Sequence, residues 1–193
     1  VFQYSKQFWN AYKDNKKYLR LGFQDSHEFS GQVGKYLDEP LYNFFNELYK
    51  NNLLEDTAIF FASDHGNSYF NYFYYYVLRS DDSMLEKTYG MLHIMIPNNK
   101  NEKNLKFMEN INSNQQSYIT PFDIHDTIIH IIYGDNLDIK SYKYSQKGNS
   151  LLTKFENKFR NCKTYYNDIV FQKECLCEKK CQNHQKFKIK KKI

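Results

Sequence analysis

The spacing of apolar positions divides the chain into helical and extended segments. Phe2, Phe8, Trp9 and Tyr12 recur at near-helical intervals, so residues 2–14 are predicted to form an amphipathic helix. Residues 17–23 (KYLRLGF) alternate and run apolar, the pattern of a strand. Helical spacing returns over 33–51, with Leu37, Leu41, Phe44, Phe45 and Leu48 on one side. Pro40 interrupts it, and a residue without an N–H predicts a kink or a restart there. Residues 57–62 (TAIFFA) form a continuous apolar run of strand length, as in central parallel strands buried on both faces. The run stops at Ser63-Asp64-His65-Gly66. Residues 91–96 (MLHIMI) read as another strand, ended by Pro97. A polar helix is predicted over 101–114. Pro121 opens a further one over 121–133, whose apolar face is Ile124, Ile128, Ile131 and Ile132.

Strands alternating with helices predict an α/β sheet with crossover connections. No internal repeat is visible, and beyond about residue 135 the apolar content falls. Composition narrows the class. The 193 residues contain 18 Tyr and 16 Phe, enough to build a core, which excludes disorder of the whole chain. Seven Gly and three Pro exclude collagen-like and linker sequences. The formal charge of +5 is local: Lys186, Lys188, Lys190, Lys191 and Lys192 lie in a terminal run without acids. Without those five, 22 basic residues face 22 acids, so composition implies no nucleic-acid-binding face. No stretch approaches the roughly 18–20 apolar residues of a membrane helix. The chain opens on Val1 rather than Met, and a fragment of a longer protein is the expectation.

The candidate chemistry begins where the apolar run ends. In open α/β sheets ligands bind beyond the carboxyl ends of strands, which is where Asp64 and His65 stand. Side chains of neighbouring strand residues face opposite ways, so both reach one site only if the chain turns at once, and Gly66 permits that turn. A carboxylate oxygen beside an imidazole nitrogen suits zinc, manganese or another divalent ion. The plainer alternative is a polar cap on a strand-to-loop junction.

The surrounding residues carry a resemblance. The stretch 54–66 (LEDTAIFFASDHG) resembles the Thr, apolar strand, Ser-Asp-His-Gly signature of the sulfatase-like branch of the alkaline phosphatase superfamily. Residues 85–97 (LEKTYGMLHIMIP) look like that family's next block, an acidic residue followed by a strand, with Gly90 where the block usually has Pro. Residues 120–128 (TPFDIHDTI) are similar to its later helix start. Upstream, Asp25-Ser26-His27-Glu28 followed by Tyr36-Leu37-Asp38-Glu39-Pro40-Leu41 is similar to its histidine-bearing loop and the next helix. The four blocks stand in order across 17–134, and the nearest likeness is to a eukaryotic group with a cysteine-rich end.

The resemblance implies an alkaline-phosphatase-like mixed or parallel sheet flanked by helices, of which residues 1–135 are the C-terminal part. Residues 136–185 would be a cysteine-rich extension and 186–193 a lysine-rich tail. Asp64 and His65 would be metal ligands, for zinc, manganese or calcium. His27 would lie across the cleft and bind the substrate's phosphate or sulfate group, or a second metal. Glu28 reads as a structural neighbour, His125 and His130 as packing or surface residues, and His93 as a core or interface histidine. The whole protein would be a metal-dependent hydrolase or transferase of sulfate or phosphate esters, on glycans or lipids. Family members carry a Thr, Ser or formylglycine nucleophile on an N-terminal strand and helix. Nothing before His27 resembles that segment, so the nucleophile is expected upstream of Val1, and 1–193 alone to be inactive. The alternative is a non-catalytic cell-surface or binding protein that keeps the fold.

Two segments remain. Residues 69–77 (YFNYFYYYV) directly follow the metal pair and read either as a stacking platform for a glycan or lipid headgroup or as a loop packed on its own domain. Cys162, Cys175, Cys177 and Cys181 read either as two disulfides or, with His184, as a zinc knuckle. The disulfide reading and the resemblance together imply an extracellular, lumenal or membrane-anchored protein, with any membrane association carried by residues upstream of Val1.

Overall fold

The structure is a computed structural model that describes residues 1–66, 89–97, 101–115, 117–134, 148–155 and 160. The aromatic stretch 69–77, all four cysteines, His184 and the lysine run lie outside the described residues. The chain divides into two compact units, Val1–Met95 and Ile96–Ile193.

In the first unit, helix α1 spans Phe2–Ala11 and ends before the apolar spacing does. The cause is a cation at its end. Lys17 Nζ donates to the carbonyls of Tyr12 (2.9 Å), Lys13 (3.3 Å) and Asn15 (3.1 Å), gathering groups that a longer helix would have bonded internally. Residues 17–23 do not form the expected strand. A strand needs a ladder partner; here the apolar side chains serve packing instead. The Phe23 ring lies 5.4 Å from Phe2, which lies 5.2 Å from Phe44.

A 3-10 helix over Val33–Leu37 leads into α2, Asp38–Lys50. Pro40 is the third residue of α2, where the missing N–H would have had no intrahelical partner, so the chain restarts there and does not kink. Asp38 and Glu39 in the first turn and Lys50 in the last match the helix dipole. Phe44 and Leu48, four apart on one face, are the buried apolar side chains among the described residues of this unit, and Lys6 of α1 pairs with Glu47 of α2.

Strands β1 (Ile59–Ala62) and β2 (Leu92–Met95) pair antiparallel, with Ile59 opposite Met95 and Ala62 opposite Leu92. The described fold is therefore mixed α/β, but its strand pair is not the parallel one the apolar run predicted. Ile59, Phe60 and Phe61 are half-buried, while Ala62 is exposed. A short apolar run reports partial cover on both faces and carries no information about the neighbour's direction. His93 is exposed on β2, not placed in a core.

In the second unit, α3 (Glu102–Asn114) and α4 (Pro121–Tyr133) occupy the segments the sequence marks. Asn101 caps α3 by accepting the Lys103 N–H at 3.0 Å. The expectation for α4 needs correction. Its buried face is polar, made of Asp123, Asp126, Thr127 and His130, while Ile131 and Ile132 are exposed. The reason is the segment 148–155, which lies along that face. Asn149 N donates to Asp123 Oδ1 (2.8 Å), Leu151 N donates to Thr127 Oγ1 (2.8 Å), and His130 Nδ1 meets Ser150 Oγ (2.9 Å). From α3, Asn114 Nδ2 donates to the carbonyls of Leu151 and Thr153 while its Oδ1 accepts the Phe155 N–H. Backbone matched in this way lets Leu151, Leu152 and Phe155 be buried.

Asp123 is the focus of these bonds. Its Oδ2 accepts from Thr120 N (2.7 Å) and Thr120 Oγ1 (2.9 Å), the reach-back half of a capping box. Its Oδ1 also accepts from Arg160 Nη2 at 2.5 Å, and that guanidinium lies 3.6 Å from the Phe155 ring centre and donates to Tyr118 O. Asp123→Ala takes the shared acceptor from four donors at once and breaks a buried ion pair from one side, so it is expected to cost about 3–5 kcal/mol. Arg160→Met leaves the carboxylate three donors and is expected to cost less. Urea unfolding of the two variants checks the order; equal losses would show that the pair alone, not the donor set, carries the effect.

Candidate functional site

The site is built at the end of β1. Ser63 is the next residue in register, opposite Met91, and its N–H donates to Met91 O at 2.9 Å. The return bond goes to the side chain: Met91 N donates to Ser63 Oγ at 2.7 Å. A Cβ on Gly90 would stand 2.4 Å from the Ser63 carbonyl oxygen, so only glycine fits here. That contact gives a physical reason for Gly90 in a block where the resemblance has Pro.

Beyond Ser63 the chain bends, and Asp64 and His65 come onto one side. Asp64 Oδ1 accepts the His65 N–H at 2.9 Å, which fixes the carboxylate against its own backbone. His65 Nδ1 lies 2.7 Å from Gly66 O. A carbonyl can only accept, so Nδ1 is the donor of this contact, and in the neutral ring Nε2 then keeps its lone pair. Asp64 Oδ2 and His65 Nε2 are 3.6 Å apart, beyond hydrogen-bond length. Both side chains are open, at 88% and 47% exposure.

The spacing of this pair is that of two ligands on one ion. Two ligands on one tetrahedral ion with bonds of about 2.0–2.2 Å lie roughly 3.3–3.6 Å apart. The carboxylate Oδ2 and the imidazole Nε2 are at that separation, with their lone pairs unspent. Among the described residues no third His, Cys, Asp or Glu joins them in a group able to hold a metal. His27 is thus not gathered into a three-residue cluster with the pair. It is exposed in its loop, where its N–H donates to Gln24 O at 2.9 Å.

The loop that carries His27 is held by its neighbour. The Glu28 carboxylate accepts from Ser30 N (2.6 Å), Gln32 N (2.7 Å) and Val33 N (3.1 Å). These bonds cap the start of the 3-10 helix and leave Glu28 no lone pair directed at a ligand. They also hold its carboxyl down at about 2 against an ordinary 4.5, the Val33 N–H first and the Ser30 hydroxyl next, against the opposing effect of partial burial. On α4, His125 Nδ1 lies 3.0 Å from Asp126 Oδ1. His130 packs edge-on against Phe107 and bonds Ser150, so its role is packing. The sequence pattern passed over Ser63 and Gly90 as site residues; the signal was a hydroxyl directly before the Asp-His pair and a glycine two residues before the partner strand.

Taken together, these features describe a mixed α/β protein with an open Asp-His pair at a strand end. The chain belongs to the family described as "Protein of unknown function (DUF229)", which matches residues 1–193. No curated protein and no solved structure matches it. Among the described residues no helix is long and apolar enough to cross a membrane.

Glu28 makes the stability of this region pH-dependent. A carboxyl with a lowered folded pKa contributes stability in full above about 4.5 and loses it as pH falls toward 2. The advantage of the native protein over Glu28→Gln in urea unfolding is expected to be largest near neutral pH and to vanish near pH 2. An advantage independent of pH would remove the assignment.

Proposed function

We propose that this chain is part of a metal-dependent hydrolase or transferase of the sulfatase-like branch of the alkaline phosphatase superfamily, acting on sulfate or phosphate esters. One observation carries the reading: an exposed carboxylate oxygen and an imidazole nitrogen, both with unspent lone pairs, stand 3.6 Å apart at the end of a strand. The order of the four sequence blocks around that pair supports it. On this reading the antiparallel pair β1–β2 belongs to a larger mixed sheet of alkaline-phosphatase type.

Asp64 Oδ2 and His65 Nε2 would hold the ion, and their mixed oxygen and nitrogen character favours zinc or manganese over calcium. A divalent ion so held polarises the ester and lowers the pKa of the attacking group. The chain's own contribution is positional. Gly66 O holds the imidazole in the tautomer that presents Nε2, and the His65 N–H holds the carboxylate so that Oδ2 stays outward. His27, exposed on the loop that Glu28 fixes, is the candidate contact for the anionic group of the substrate. The esters in view are those of glycans or lipids.

Asp64→Ala and His65→Ala are each expected to weaken zinc or manganese binding by more than the roughly 10–100-fold that loss of an outer-shell partner causes. Metal analysis of the purified protein after dialysis checks this. Unchanged metal content in both variants would remove the site assignment. For the cysteine-rich segment we propose two disulfides and an extracellular or lumenal setting, supported by four cysteines confined to 20 residues. Thiol titration under denaturing, non-reducing conditions is expected to find none; four free thiols would favour zinc ligation and a reducing compartment.

A further inference from the structure

We infer that Ser63 is a positioning residue for the Asp64–His65 pair, acting by substituting its hydroxyl for its own backbone carbonyl in the last rung of the β1–β2 ladder. The inference rests on the metal reading of that pair for its consequence, but its geometry stands independently.

The register of the strand pair makes Ser63 and Met91 the next opposed residues after Ala62 and Leu92. In a regular antiparallel rung such a pair exchanges two backbone bonds, each N–H to the opposing carbonyl. Here one bond is regular, Ser63 N to Met91 O at 2.9 Å. The other is not: Met91 N donates to Ser63 Oγ at 2.7 Å, and the Ser63 carbonyl lies against Gly90 instead. The Ser63 carbonyl is therefore displaced from Met91 N toward Gly90 while Met91 N stays satisfied. That displacement brings the next two side chains onto one side, although the pleat of a continuing strand would send them to opposite faces. Gly90 completes the device, since a Cβ there would press on the displaced carbonyl from 2.4 Å.

Removing the hydroxyl presents the chain with two poor choices. Either Met91 N exchanges its fixed acceptor for water and the rung loosens, or the Ser63 carbonyl returns to the ladder and Asp64 rotates away from His65. Threonine keeps the hydroxyl and suits a strand, so it is the conservative substitution.

The test compares Ser63→Ala, Ser63→Thr, Asp64→Ala and His65→Ala by zinc titration, and follows the His65 ring nitrogens by 15N NMR in the metal-free protein. Ser63→Ala is expected to weaken zinc binding about 10–100-fold, the effect typical of outer-shell partners, and to reduce the Nδ1–H population of His65. Ser63→Thr is expected to restore both to near the native values. Zinc affinity and His65 nitrogen shifts unchanged in Ser63→Ala, with binding lost in Asp64→Ala and His65→Ala, would overturn the inference and leave the metal reading intact. Zinc binding retained in Asp64→Ala and His65→Ala would overturn the metal reading, and the ring-nitrogen shifts would then decide the role of Ser63 alone. An altered His65 signal in both Ser63→Ala and Ser63→Thr would also count against it, because volume and not the hydroxyl would then be responsible.

Discussion

A fully buried carboxylate needs a donor for each lone pair it cannot give to water, and Asp123 meets that demand by drawing three parts of the chain together. Thr120 supplies two donors from the turn before α4, Asn149 one from the segment beyond it, and Arg160 one from further along. None of these donors can move away without leaving charge in a low-dielectric interior, which is costly. The segment 148–155 is consequently committed to the polar face of α4. Once there, its carbonyls and N–H groups are matched by Asn110, Asn114 and Thr127. The apolar burial of Leu151, Leu152 and Phe155 follows from that placement. Arrangements of this kind give little net stability per bond but exclude alternative packings, because a half-matched version is worse than none.

The same demand has one exception on this face. Asp126 Oδ2 is buried and accepts no hydrogen bond, although its Oδ1 meets His125. Gly148 shows why the cost is tolerated. A Cβ at that position would lie 2.4 Å from Phe122 O and 2.5 Å from Asp126 Oδ2, so backbone and helix are in direct contact there. Close approach of the Gly148 backbone is what allows Asn149 and Leu151 to reach their acceptors on α4. One unmatched oxygen is exchanged for several matched groups.

This logic also explains which parts of the molecule were legible in the sequence. α3 and α4 were, because Asn101 and the Thr120-Pro121-Asp123 start signal their ends locally. The buried face of α4 was not. Its isoleucines give the stronger periodicity, and only tertiary donors from 148–155 and Arg160 make burial of Asp123, Asp126 and Thr127 favourable. Residues 17–23 alternate like a strand, yet Phe23 packs on Phe2 of α1, since alternation records side-chain cover and not the presence of a ladder. The apolar runs of β1 and β2 were both legible as strands, and their antiparallel pairing was not, because direction is set by long-range contacts. At the candidate site, the Asp-His-Gly junction could be read from residue types alone. The fastening by Ser63 and Gly90 could not, since it depends on a partner strand that begins 29 residues after Ser63.

Comparing the carboxylates separates structure from chemistry. Asp123 spends both oxygens on four donors and is fully buried, so nothing remains to bind a ligand. Glu28 spends its oxygens on three backbone N–H groups and shapes a loop. Asp64 spends one oxygen on a single local bond and keeps the other exposed, and the adjacent His65 does the same with its two nitrogens. Each half-used group is oriented by the bond it does make and available through the atom it does not use. Orientation without saturation is the property a ligand-binding pair requires, and among these acids it is found where β1 leaves its ladder. Among the described residues, the fully satisfied acids thus hold segments together, while the half-used Asp64–His65 pair stands at a strand end with Oδ2 and Nε2 left over.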